Sequence, residues 1–157
     1  MLPEMDWIWQ QSCPAHPRLG KLAQADSLTQ ALSALGRLTV SLEGLGESAG
    51  FPLFAGLGLP ERMFCRRVVL HLDGVPVVRA QSVCGTDSVW RGILDCGQTP
   101  LGKILFSGSL QGLRRSRLEF ARPKDCELAR RSWFDYQGGR LYLAECFLPE
   151  ILRFQAD

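Results

Sequence analysis

No charge of one sign dominates this sequence: 18 lysines and arginines against 16 acidic residues leave a formal net charge of only +2, too little to argue for a nucleic-acid partner. No stretch approaches the roughly 20 consecutive apolar residues that cross a bilayer, so no membrane span is expected. The opening MLPEMDWIWQQSCP lacks the basic start and long apolar run of a secretory leader. His16 and His71 are the only histidines, and none of Cys13, Cys65, Cys84, Cys96, Cys126 and Cys146 forms a CxxC pair or fits zinc-ligand spacing with them. Metal binding is therefore disfavoured. The cysteines read as small apolar fillers of a reduced, cytoplasmic protein. Repeats, low-complexity tracts and charged linkers are also missing. The 157 residues are thus read as one domain, 1–157, long enough to bury a sizeable core. With 46% apolar and 22% charged residues, the balance is that of an ordinary globular chain.

What is present is a series of short periodic segments. DSLTQALSALG carries Asp26 or Ser27 as helix cap, Leu28, Leu32 and Leu35 on one face, and Gly36 at its end. RLTVSLEGLG alternates Leu38, Val40 and Leu42 with polar residues, the pattern of a half-buried strand. Residues 44 to 60, rich in glycine and without a strict period, read as a loop or a broken strand. MFCRRVVLHLDGVPVVRAQSVC then places two β-rich runs around Asp73-Gly74, a strong hairpin signal. A short helix is expected within 87 to 95. In QTPLGKILF, Thr99 is read as cap, Pro100 as first helical residue and Leu101 as lying just inside. LRRSRLEFA and ARRSWFDYQ read as strands, and Gly138-Gly139 turns the chain into the last one, LYLAECFLP. Adjacent strands broken by two or three short helices, without βαβ alternation, predict an α+β fold with an antiparallel sheet and helices over one face.

Strand parity singles out two charges. Phe64, Arg66, Val68, Leu70 and Leu72 share the better core face, so Arg66 points where a charge is costly. In the last strand Leu141, Leu143, Glu145 and Phe147 align, but the alternative set is apolar as well, and parity alone does not turn Glu145 inward. The plain structural reading is an Arg66–Glu145 ion pair, or two edge charges that reach water. The functional reading is a cavity in which the arginine binds a ligand carboxylate and the glutamate accepts from a ligand hydroxyl. The helix starts at Ser27-Leu28 and at Leu101 offer backbone N–H groups, and Gly102 would permit close approach of a ligand. Arginines also gather at positions 114, 115, 117, 122, 130 and 131; the commoner reading of such a cluster is a set of solvated strand faces.

GQTPLGKILFS, ARRSWF and LYLAECFLP, in this order, together with FCRRVVLHLDGVP and ADSLTQAL, resemble the chorismate–pyruvate lyase family, most strongly over residues 20 to 150. The resemblance implies a six-stranded antiparallel sheet and an internal ligand site closed by helical flaps. It further implies a bacterial cytoplasmic enzyme, a monomer, that converts chorismate into 4-hydroxybenzoate and pyruvate for ubiquinone biosynthesis with no metal or other cofactor. On the family's pattern Arg66 matches the arginine on the ring carboxylate, Leu28 and Leu101 match residues that contribute backbone N–H groups, and Glu145 matches the glutamate near the ring hydroxyl.

One departure bears on chemistry. Where the family pattern resembles ARSV, this chain has Gln81 in AQSV; if that arginine holds the enolpyruvyl carboxylate, activity falls or the substrate changes. Cys146 also stands at a usually apolar position, and the segment between SGSLQGL and RRSRLEF is compact. The rival reading is a non-catalytic aromatic-acid-binding module, like the effector domains of bacterial regulators that share this fold. Those follow a DNA-binding segment for which the residues before Asp26 are too few.

Overall fold

Two hairpins organise the chain, each turning on two residues with positive φ, as a right-twisted antiparallel pair requires. The first joins β2 (Arg62–Leu72) to β3 (Val75–Cys84) through Asp73 (φ 51°) and Gly74 (φ 80°). The second joins β6 (Leu128–Tyr136) to β7 (Gly139–Phe147). Its turn residues are Gln137 and Gly138 rather than Gly138-Gly139, because Gly139 already pairs with Tyr136. Gly139 is needed for packing: a Cβ there would lie 2.7 Å from Ser88 Oγ, and its carbonyl accepts the Trp90 indole N–H. These features come from a computed structural model describing residues 8–155; residues 1–7, half of the segment read above for a leader, lie outside the described residues.

All strand pairs are antiparallel, in the order β1-β2-β3-β7-β6-β4, with β4 being Arg114–Arg115 and a seventh strand, β5 (Glu119–Ala121), also on β6. The fold is α+β, as expected, in a single sheet. LRRSRLEFA, read as one strand, is broken into β4 and β5 where the Ser116 hydroxyl, rather than backbone, accepts from Trp133 N–H. β1 (Leu38–Ala49) runs on through the glycine-rich stretch read as a loop. A bulge at Glu43 interrupts its period, and beyond it backbone pairing with β2 holds residues of poor β-propensity in register to Ala49.

Four short helices, α1 (Gly20–Ala23), α2 (Leu28–Ser33), α3 (Trp90–Leu94) and α4 (Leu101–Leu105), cover one face of the sheet. Ser27 caps α2 by accepting from Gln30 N–H. Thr99 does not cap α4; Pro100 takes the N-cap position and the Thr99 carbonyl serves another purpose, described below. Two apolar clusters form beneath the helices. Leu19, Leu32, Leu70, Leu72, Leu128 and Phe147 belong to one; Phe64, Trp90, Leu94, Leu101, Phe134 and Leu141 belong to the other. The opposite face is buried too, by the segment around Phe51–Leu59 packing on Cys65, Val83 and Ala144. Among the described residues no helix is long and apolar enough to cross a membrane.

Candidate ligand site between the two cores

Between the clusters the sheet presents two rungs that are not purely apolar. One runs Arg66, Ser82, Leu143, Ser132 across β2, β3, β7 and β6; the next runs Val68, Ala80, Glu145, Arg130. The central strand offers only Ala80 and Ser82 here. Large side chains are missing where the helices arch over, and a cavity of about 40 Å³ remains. Leu28 and Thr29 of α2, Pro100, Leu101 and Gly102 at α4, and Phe106 roof it; Arg66, Arg115, Arg130, Glu145 and Leu143 are among its walls. The four residues singled out in sequence, Leu28, Arg66, Leu101 and Glu145, therefore border one space, and Leu28 and Leu101 do so from the first turns of their helices. That volume is far below the few hundred Å³ of ordinary ligand pockets. A ligand of ordinary size would enter only if the α2–α4 cover moved.

The polar groups divide between two ends. Arg66, 2% exposed, donates from Nη2 to the carbonyls of Gly97 and Thr99, both at 3.1 Å, so the loop entering α4 is fastened to it. Its Nε is buried without a partner. At the other end Glu145 Oε1 accepts from Arg130 Nε at 2.7 Å, and Arg130 Nη1 donates to the carbonyls of Ala23, the last residue of α1, and of Ala25 in the α1–α2 connection. Arg115 lies alongside this pair, Nη1 donating to the Asp26 carbonyl at 2.6 Å and its guanidinium resting on the rings of Phe106 and Phe134. Burial pushes the pKa of Arg66 and of Arg115 down from the usual arginine range, and for Arg115 the neighbouring Arg130 adds to the effect. Arginine starts so high that both remain cations at physiological pH.

Several sequence expectations are corrected here. Arg66 and Glu145 do not pair with each other: Glu145 pairs with Arg130, and Arg66 with backbone. Gln81 cannot meet a ligand in this cavity, because it shares its rung with Arg67 and Ala144 on the opposite face, where its amide donates to Cys65 Sγ. Gly102 does give close approach, but to Thr29: a Cβ on Gly102 would lie 2.1 Å from Thr29 Oγ1 and 2.8 Å from its Cβ. Gly102→Ala is thus expected to pry α4 from α2 and to destabilise the protein by about 1–3 kcal/mol, measurable by urea unfolding.

The solvated-face reading holds for Arg114, Arg117 and Arg122 but fails for Arg115, Arg130 and Arg131. Arg131 faces away from the cavity, pairing with Glu119 and stacking on Trp9. Sequence reasoning thus missed Arg115, Arg130 and Ser82. The small residues Ala80 and Ser82, alternating with Gln81 and Val83, were the available signal for a void over β3.

A larger groove of about 620 Å³ lies on the other face, bordered by Arg67, Arg79, Lys124 and Asp125. Those charges are exposed, so water already satisfies them. The smaller cavity has the stronger claim because Arg66, Arg130 and Glu145 in its wall have been taken out of water.

A helix-roofed antiparallel sheet that encloses buried arginines and a glutamate has the make-up of a small-molecule site. The chain belongs to the chorismate lyase family, whose model matches residues 10–155. It is 30% identical over 147 residues to a probable chorismate pyruvate-lyase 1 of Burkholderia pseudomallei (strain 1710b), covering 80% of this chain and 79% of that protein. Among solved structures, the effector domain of PhnF from Mycobacterium smegmatis is similar in fold, with a TM-score of 0.52 over 79% of this chain and 89% of that one, at 16% identity.

Proposed function

We propose that this protein cleaves chorismate into 4-hydroxybenzoate and pyruvate, as a monomeric cytoplasmic enzyme of one domain that feeds ubiquinone biosynthesis. The observation that carries the reading is the separation of charge within the cavity. Arg66 stands on β2 and Glu145 on β7 with one strand between them, two strand spacings or about 10 Å. With side chains reaching inward, that suits a ring with a carboxylate at one end and a hydroxyl at the other. Arg66 would hold the ring carboxylate together with the N–H groups of Leu28 and Leu101, and Glu145, whose Oε1 is taken by Arg130, would accept from the ring hydroxyl through Oε2.

The chemistry asks little beyond this. The carbon bearing the hydroxyl loses its proton and the ring–ether bond breaks. The electron pair leaves with enolpyruvate, which takes up a proton to become pyruvate. Atoms and electrons balance without an oxidant or reductant, and aromatisation makes the step strongly downhill. The site's task is to hold a flexible dianion in the reactive conformation and keep water out. A pocket this closed should also release its aromatic product slowly.

The test is the purified protein with chorismate, following 4-hydroxybenzoate by absorbance and pyruvate by a coupled assay. Equal amounts of both are expected, with turnover slowing as 4-hydroxybenzoate accumulates. Tight 4-hydroxybenzoate binding without turnover would make the protein a binding module, and neither would leave family membership without the activity.

A further inference from the structure

Chorismate has two carboxylates, and the assignment above holds only one. Position 81, where the family pattern pointed for the second, is on the wrong face of the sheet. The cavity wall nevertheless carries three guanidiniums, Arg66, Arg115 and Arg130, against the single carboxylate of Glu145. Arg130 is committed to Glu145 and to two carbonyls. That leaves a surplus of two cations in a largely desolvated space, the complement of a dianion.

Arg115 is the one still to be matched. Its Nη1 is held by the Asp26 carbonyl, its Nη2 reaches Ser132 Oγ only at 3.5 Å, and its Nε is buried with no partner at all. A buried donor left unsatisfied costs about 1–3 kcal/mol, so some gain elsewhere must offset it. Its guanidinium carbon lies over the rings of Phe106 and Phe134, 5.4 and 5.0 Å from their centroids, and a guanidinium suits paired N–H donation to a carboxylate. Its position also fits. Arg115 lies at the Glu145–Arg130 end, feeling the charge of both, whereas Arg66 is fastened to the α4 loop. In chorismate the enolpyruvyl ether springs from the ring carbon next to the one bearing the hydroxyl, so its carboxylate belongs at that same end.

We infer that Arg115 is the binding residue for the enolpyruvyl carboxylate, so that the two surplus cations of the cavity match the two carboxylates of the substrate. The inference rests on the chorismate reading of the site. It gives Arg115 a second consequence: negative charge grows on the departing enolpyruvate as the ether bond breaks, and a guanidinium placed there stabilises that charge as well as the ground state.

The test separates mono- from dianionic ligands. In Arg115→Gln, kcat/KM for chorismate should fall by 10²-fold or more, while the Kd for 4-hydroxybenzoate, which has one carboxylate, moves by less than about threefold. Arg115→Lys should recover part of kcat/KM and guards against a folding defect in the glutamine variant. Independently of turnover, 3-(carboxymethoxy)benzoate should bind the wild type more tightly than benzoate, and that advantage should vanish in Arg115→Gln. Unchanged kcat/KM, equal losses for mono- and dianionic ligands, or an advantage that survives the substitution would each overturn the inference. A wild type that binds the dianion through Arg115 yet never turns over chorismate would instead defeat the lyase reading and leave the dianion site standing.

Discussion

Arg66→Ala should weaken 4-hydroxybenzoate binding by roughly three orders of magnitude and abolish measurable turnover. A carboxylate seated against Arg66 loses charge-assisted hydrogen bonds of about 1.5–3 kcal/mol each, and is itself left buried and underpaired. A total near 4 kcal/mol corresponds to about a thousandfold in Kd. The fold should survive. The substitution orphans the carbonyls of Gly97 and Thr99, a cost of about 1–3 kcal/mol, but it also removes a desolvated cation with no carboxylate partner. Titration calorimetry with 4-hydroxybenzoate and a urea melt of the same sample would separate the two effects. A folded variant whose Kd shifts by less than tenfold would show that the ring carboxylate sits elsewhere.

The arginines that border the cavity also hold the roof. Arg66 binds the carbonyls of the loop entering α4, Arg130 those of Ala23 at the end of α1 and of Ala25 in the α1–α2 connection, and Arg115 that of Asp26 just before α2. Neither α2, with six residues, nor α4, with five, has the length to be stable alone. Their placement depends on these side-chain anchors and on the tight Thr29–Gly102 contact. A ligand anion drawn to these guanidiniums would compete for the donors that hold the cover in place, so binding at the floor would act on the roof.

The part of this arrangement written locally was legible in advance. Asp73-Gly74 fixed one hairpin, and period-two alternation correctly placed Arg66 on the buried side of β2 with Arg67 outside. β7 gave no such answer, because the sheet is covered on both faces: Ala144 and Cys146 are as buried as Leu143 and Glu145, so an apolar alternate set carried no information. Arg130 and Arg131 escaped for a related reason. They are neighbours that point to opposite faces, and each is satisfied by backbone far away in sequence, Ala23 being 107 residues from Arg130 and Leu53 78 residues from Arg131. An arginine pair in a strand looks solvated until its distant acceptors are known. The family resemblance supplied the inward glutamate, but only the register of β6 against β7 reveals that its partner is Arg130 rather than Arg66.

That partnership sets the second large effect. Glu145→Ala should destabilise the protein by about 3–5 kcal/mol, because it leaves the Arg130 guanidinium, 1% exposed, without its counter-charge. For a chain of this size that is a fall in Tm of roughly 10 °C or more. The two carbonyls on Nη1 soften the loss but cannot neutralise the charge. Replacing both partners, as in Arg130→Met with Glu145→Leu, removes the uncompensated charge and should restore most of the stability, since a buried ion pair exchanged for apolar side chains is often close to neutral. The double variant then isolates function from folding. If Glu145 positions or deprotonates the ring, the stable double variant should still be inactive on chorismate, and its affinity for benzoate, which has no hydroxyl, should fall less than its affinity for 4-hydroxybenzoate. A double variant that regains both stability and turnover would assign Glu145 to structure alone. A Glu145→Ala protein within about 1 kcal/mol of wild type would refute the buried-pair energetics on which the comparison is built.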